Sequence, residues 1–168
     1  MFGLFKKPMP LRTVVADMVD MLSRIRATVD ELARAEAIDR ATDYEPEASA
    51  FIYILGWHAI QISDLSPTDR HRFAAELTGA FANKMGSGDE ALQMLKLLQE
   101  RISSYNYALN HGKGRDWAAK LVFQFIHYLG ADSAEHVGVQ AALYVLAPQH
   151  ISALRDFLSD LNKTYKFV

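Results

Sequence analysis

The run Phe51-Ile-Tyr-Ile-Leu-Gly-Trp-His-Ala-Ile-Gln-Ile62 constrains this chain more than any other feature, because it is apolar all round. A helix without a polar face is stable only when it is covered on all sides. The isoleucines leave a strand open on propensity alone. The length of the run and the helical patterns flanking it favour a helix. Pro46, a residue suited to a first helical turn, marks its start. The rest of the chain must therefore supply a jacket of amphipathic elements. With 168 residues it can do so in one domain. A domain of this size buries about 70% of the surface its unfolded chain exposes, so it needs no disulfide or metal to hold it together.

The jacket is legible in hydrophobic period. Leu11, Val15, Met18, Leu22, Ile25, Val29 and Leu32 recur at alternating four- and three-residue steps, a heptad seam. It predicts a helix from about Leu11 to about Thr42, longer than its partners, with part of the seam projecting past the bundle. Ser66-Pro67-Thr68-Asp69 has the make-up of a helix start: a serine cap, proline in first position and an acid in the first turn. Phe73, Leu77, Phe81 and Met85 mark one face of that helix, and Gly86 stops it. Ser87-Gly-Asp-Glu90 reads as a capping box ahead of Leu95, Leu98, Ile102, Tyr105 and Leu109.

Trp117 opens a second strongly apolar helix, ended by Gly130. Asp132-Ser-Ala-Glu135 can cap a third, carrying Val137 to Leu146, which Pro148 breaks. A last helix sets Ile151, Leu154, Leu158, Leu161 and Tyr165 on one stripe. The expected fold is all-α: a compact bundle of about seven helices with a long N-terminal heptad-patterned helix. The helices starting near Pro46, Trp117 and Val137 belong at its centre. Residues 11–168 form the single domain, and residues 1–10 a flexible N-terminal tail. No strand pattern competes.

Composition narrows the function classes. Half the residues are hydrophobic and 23% charged, which suits a globular chain and not a disordered one. The formal net charge of −2, with no long run of one sign, weighs against a dedicated nucleic-acid binder, so no nucleic acid is expected as a partner. The absence of cysteine excludes disulfides, thiolate metal sites and a cysteine nucleophile. No apolar run is long enough for a transmembrane segment. Pro8 and Pro10 stand where a secretory signal would need its apolar core, so a cytoplasmic location is the expectation. No Glu-x-x-His pair, His-Glu-x-x-His motif, phosphate-binding loop or nucleophile elbow is present. We expect no catalytic residues, metal or cofactor.

Three constellations carry alternative readings. The seam Leu11, Val15, Met18, Leu22, Ile25, Val29 and Leu32 is either a core stripe of one chain or a subunit interface, with Val14, Val19 and Met21 widening it. Tyr53, Trp57, His58, Gln124, His127, Tyr128, Gln140 and Tyr144 are either a satisfied core network or the lining of a small-molecule pocket between helices. His111, Lys113 and Arg115, in a glycine-rich loop before a helix N-terminus, are either a solvated turn or an anion-binding site. The functional expectation is a non-enzymatic helical interaction or adaptor protein, partnered by a second copy in a homodimer or by another helical protein. The alternative is a binding module for a small apolar or aromatic ligand.

Overall fold

The computed structural model describes residues 6–111, 116–130 and 136–168, with the side chain of His111 outside that description. These residues form strand β1 (Lys7–Met9), helix α1 (Leu11–Ala35), a single 3-10 turn (Ile38–Arg40), helices α2 (Tyr44–Gln61), α3 (Pro67–Met85), α4 (Asp89–His111), α5 (Asp116–Tyr128) and α6 (Val137–Thr164), and strand β2 (Tyr165–Phe167). The fold is all-α, with six α-helices among the described residues rather than about seven.

Helix α2 contacts each of the other five. Around it α1, α3, α4, α5 and α6 pack neighbour to neighbour and close a ring, α6 returning to α1. This placement answers the lack of a polar face, and every residue from Glu47 to Gly56 is buried. α1 packs tightly on α2 at Gly56, where an added Cβ would lie 2.8 Å from Cδ1 of Leu22. The other two apolar helices are not central. Each belongs to the ring and keeps an outer face, at Lys120, Phe123 and His127 on α5 and at Val137 and Val145 on α6.

The seam also differs from expectation. α1 stops at Ala35, short of Thr42, because Ala37 takes a left-handed conformation (φ 57°) that turns the chain into the 3-10 segment. At 25 residues it is shorter than α6, which has 28, so no length of seam is left to project. Leu11, Val15, Met18, Leu22, Ile25 and Val29 are buried in their own protomer, as are Val14 and Val19, and Leu32 is half-buried against the same core.

The seventh helix was lost because Pro148 does not interrupt α6. Proline inside a helix removes one backbone hydrogen bond and costs about 3 kcal/mol. The buried positions Val139, Leu143, Ala147, Ile151, Leu154 and Leu158 run through it in unbroken register, and their burial offsets that cost.

Local signals were obeyed elsewhere. The Ser66 hydroxyl accepts from the Asp69 amide at 3.1 Å with Pro67 in the first turn, and Gly86 closes α3. The Ser87 amide donates to Glu90 Oε2 at 3.5 Å, one half of the capping box. Within the stretch read as a tail, Lys7–Met9 pair in parallel with β2, in the register Lys7↔Tyr165, Pro8↔Lys166 and Met9↔Phe167. Phe167, only 5% exposed, seats its ring edge-on against Phe73 and fixes this ribbon to α3.

Candidate functional site

The eight polar and aromatic residues singled out on the apolar helices divide among several places. Tyr53, on α2, is fully buried, and its hydroxyl is 2.8 Å from Thr78 Oγ1 on α3. Thr78 in turn donates to the Ala74 carbonyl at 2.6 Å, so Tyr53 supplies the proton to Thr78. Burial raises the Tyr53 phenol above its ordinary range. Trp57, one turn on, is half-buried. With Tyr53 it lines an open groove of about 580 Å³ between α2, α3 and α4, whose other walls include Gln61, Arg70, His71 and Ile102. Arg70 is fixed there by its hydrogen bond to the Gln61 carbonyl at 2.8 Å.

His58 faces elsewhere, with its ring centroid 6.0 Å from that of Trp117 on α5, and burial pushes its pKa below the ordinary value. Gln140 and Tyr144 are half-buried on α6, and His127 is exposed on the outside of α5. None of these four lines the groove that holds Trp57. Of the residues read as an anion site, Lys113, Arg115 and the side chain of His111 lie outside the described residues.

Gln124 and Tyr128 do meet, at a polar cluster that the sequence reading did not find. Its anchor is Glu47, which enters the core in the first turn of α2 and is 4% exposed. Arg101, from α4, donates to both of its carboxylate oxygens, Nε to Oε2 at 2.9 Å and Nη2 to Oε1, in a bidentate pair. The guanidinium lies over the Tyr128 ring, 3.7 Å from its centroid. The Tyr128 hydroxyl bonds Ser104 of α4, and the Gln124 amide donates to Ser104 Oγ at 2.7 Å and to the Tyr128 hydroxyl at 3.2 Å. The hydrogen bonds from Arg101 to Glu47 raise the arginine pKa further above its ordinary value.

Tyr105 packs edge-on against Tyr128 and Phe51, and its phenol is pushed well up by burial. Its hydroxyl is buried and finds no hydrogen-bond partner among the described residues. The cluster thus pins α2, α4 and α5 together. Its one carboxylate is already held by its one cation, and this leaves no free base beside a nucleophile.

A second cluster ties α1 to α2. Arg26 donates to Asp30 Oδ1 at 2.7 Å, Glu45 Oε2 at 2.7 Å and Ser49 Oγ at 2.6 Å, and Tyr44 donates to Asp30 Oδ1 at 2.6 Å. Burial, seconded by the bond to Asp30, raises the Tyr44 phenol far above its ordinary range. A third links the end of α1 to α6: Glu36, the residue that follows α1, accepts the Val139 amide on Oε1 at 3.0 Å in the first turn of α6. Gly138 permits this, since a Cβ there would meet the Glu36 oxygen at 2.1 Å. The Nδ1 of His136 stands 3.7 Å from the other Glu36 oxygen.

Among the described residues no group of three or more histidine, aspartate and glutamate side chains is placed to hold a metal ion, and no helix is long and apolar enough to cross a membrane. Comparison with protein-family models, with curated proteins and with solved structures finds no match to this chain.

Proposed function

We propose that the protein is a non-enzymatic interaction module that works through the grooves between its outer helices. The observation that carries this reading is the pairing of the buried charge. Glu47 with Arg101 ties α2 to α4, and Arg26 with Glu45 ties α1 to α2, so these charges are engaged in holding helices together. The concave features that remain are open grooves. The one lined by Trp57, Gln61, Arg70 and His71 has the aromatic and arginine anchors that dominate binding energy at protein interfaces. Self-association belongs to the same proposal, through these outer surfaces rather than the α1 seam.

The test is cross-linking of the protein in its native extract, read by mass spectrometry, beside light scattering of the purified protein alone. Cross-links that map to the rim of this groove, lost in Trp57→Ala with helical content unchanged, support the reading. A tightly bound small metabolite with no protein cross-links refutes it.

The same groove supports a second reading, a small-ligand site. Its floor carries the Tyr53–Thr78 hydrogen bond beside the half-buried Trp57 indole, a few polar groups in an aromatic wall. Native against denaturing mass spectra separate the two, because a ligand module should carry a retained mass that Trp57→Ala releases.

A further inference from the structure

We propose that the partner held in the Trp57 groove is an acidic peptide, which sets an Asp or Glu carboxylate on Arg70 and a neighbouring apolar side chain against the indole. This rests on the reading of that groove as the interaction surface. The observation behind it is an arginine without its countercharge. Four arginines are half-buried among the described residues, and three of them, Arg26, Arg101 and Arg155, each hold a carboxylate. Arg70, in the wall of the groove, holds none. Its Nη1 donates to the Gln61 carbonyl at 2.8 Å, which orients the guanidinium. The Nε–Nη2 edge is left without a partner among the described residues, and that is the edge with which Arg101 grips Glu47. Two parallel N–H donors at a fixed spacing match the two oxygens of a carboxylate.

No carboxylate lines the groove. The acids on the flanking elements are engaged or turned away. Asp69 accepts from the Ser66 hydroxyl and stands 3.6 Å from Arg72. Glu76 lines the hollows on the α1 side of α3, and Asp64 lies within reach of Lys163 on α6. On α4, Glu100 is two residues from Ile102 and so about 200° away round the helix. The charge that complements this groove is therefore negative.

Shape favours a peptide. The groove runs from Tyr53 to Gln61 along α2 and from Pro67 to Thr78 along α3, about 12 to 16 Å at 1.5 Å per residue. Four or five residues of extended chain, at about 3.3 Å each, span it. It is open, whereas small-molecule sites enclose most of their ligand. Phosphate recognition in peptides draws on clusters of arginines, and Arg70 is the one arginine lining this groove.

The experiment is affinity selection by the protein from a random library of pentapeptides, acetylated and amidated so that side chains supply the only carboxylates. Enriched sequences are expected to place Asp or Glu beside an aromatic or branched apolar residue. Synthetic copies should bind Arg70→Gln about tenfold or more weakly, with partial recovery in Arg70→Lys, which keeps the charge but not the fork. Trp57→Ala should also lose them, and Arg72→Gln, outside the groove, should bind as the parent does. Circular dichroism checks the fold of each variant. If Arg70→Gln unfolds, peptides with Gln in place of Glu probe the same contact on the parent protein. Selection of neutral or basic peptides, lost in Trp57→Ala, overturns the acidic partner and leaves the interaction reading standing. Acidic peptides that bind Arg70→Gln as tightly as the parent overturn it as well. No selection at all overturns it too, and a retained small metabolite beside that result overturns the interaction reading with it.

Discussion

Substituting Arg101 by leucine tests whether the Glu47 cluster is structural. The Glu47 side chain is 5% exposed and that of Arg101 18%, so the two partners are not equivalent. Removing Arg101 leaves a carboxylate sealed in the core without its cation, a loss that typically costs about 3 to 5 kcal/mol. The lost stack on Tyr128 adds about 1 kcal/mol. Removing Glu47 instead leaves a guanidinium that still reaches water and still lies over Tyr128, for a smaller cost of about 1 to 2 kcal/mol. Replacing both with leucine removes charge and countercharge together and should cost about 0 to 1 kcal/mol. The expected order is therefore Arg101→Leu worst, Glu47→Leu intermediate and the double variant mildest, with a coupling of at least about 4 kcal/mol. Urea unfolding followed by circular dichroism measures all four proteins, and Arg101→Leu should also melt roughly 10 °C lower, given about 2 to 4 °C per kcal/mol at this chain length. Additive single effects, or an Arg101→Leu cost below about 1 kcal/mol, would refute the sealed-carboxylate argument.

Leu22→Asp places a carboxylate where Leu22 is 0% exposed and abuts Gly56; it should unfold the protomer rather than split an oligomer, read by circular dichroism beside light scattering. Gly138→Ala drives a Cβ into the Glu36 carboxylate that caps α6 and should lower stability by about 1 to 2 kcal/mol in urea unfolding, a cost that a neutral result would contradict. Pro148→Ala restores the amide that the Tyr144 carbonyl lacks and should raise the thermal midpoint; a fall would mean that the core is shaped around a bend at Pro148. Burial holds His58 and His150 below the ordinary 6.5 in the folded state, so the unfolded chain takes up protons first. Their contribution is intact above that value and lost as the pH falls through and below it, so His58→Gln/His150→Gln should lose less stability than the parent between neutral and mildly acidic pH.

What the sequence disclosed was whatever a single segment decides. The apolar run after Pro46 forced a central helix, and the Ser66 cap and Gly86 stop bounded α3, because each depends on neighbours a few residues away. Pro148 misled for the opposite reason. Its penalty is local, whereas the buried stripe that outweighs it extends from Val139 to Leu158. The β1–β2 ribbon was hidden because Pro8 and Pro10 mask a short edge strand whose partner is at the far end of the chain. Glu47 carried a faint signal, an acid among Ala48, Ala50 and Phe51. Its partner Arg101 is 54 positions away on a helix that looks ordinary, so nothing in either segment announces the pair.

The burial of the α1 seam bears on the proposed interaction role. An exposed heptad stripe would demand a permanent partner, since several large side chains would each forgo about 1.5 to 3 kcal/mol of burial. With the seam in the core, the large apolar residues exposed among the described residues are Ile62 after α2, Met85 on α3, Leu92 and Tyr107 on α4, Phe123 on α5, Val137 and Val145 on α6 and Val168 after β2, no more than two on any one element. Single apolar residues scattered over a surface require no partner, whereas contiguous patches do. The groove around Trp57 is rimmed by Gln61, Arg70 and His71 and floored by a closed hydrogen bond, so the protomer can stand in water with it empty. Association through such a surface is expected to be reversible and polar at its edges, as in non-obligate interfaces. The rigidity needed to present it comes from the core beneath, where α2 fills the ring and Glu47 and Arg101 lock α2 to α4.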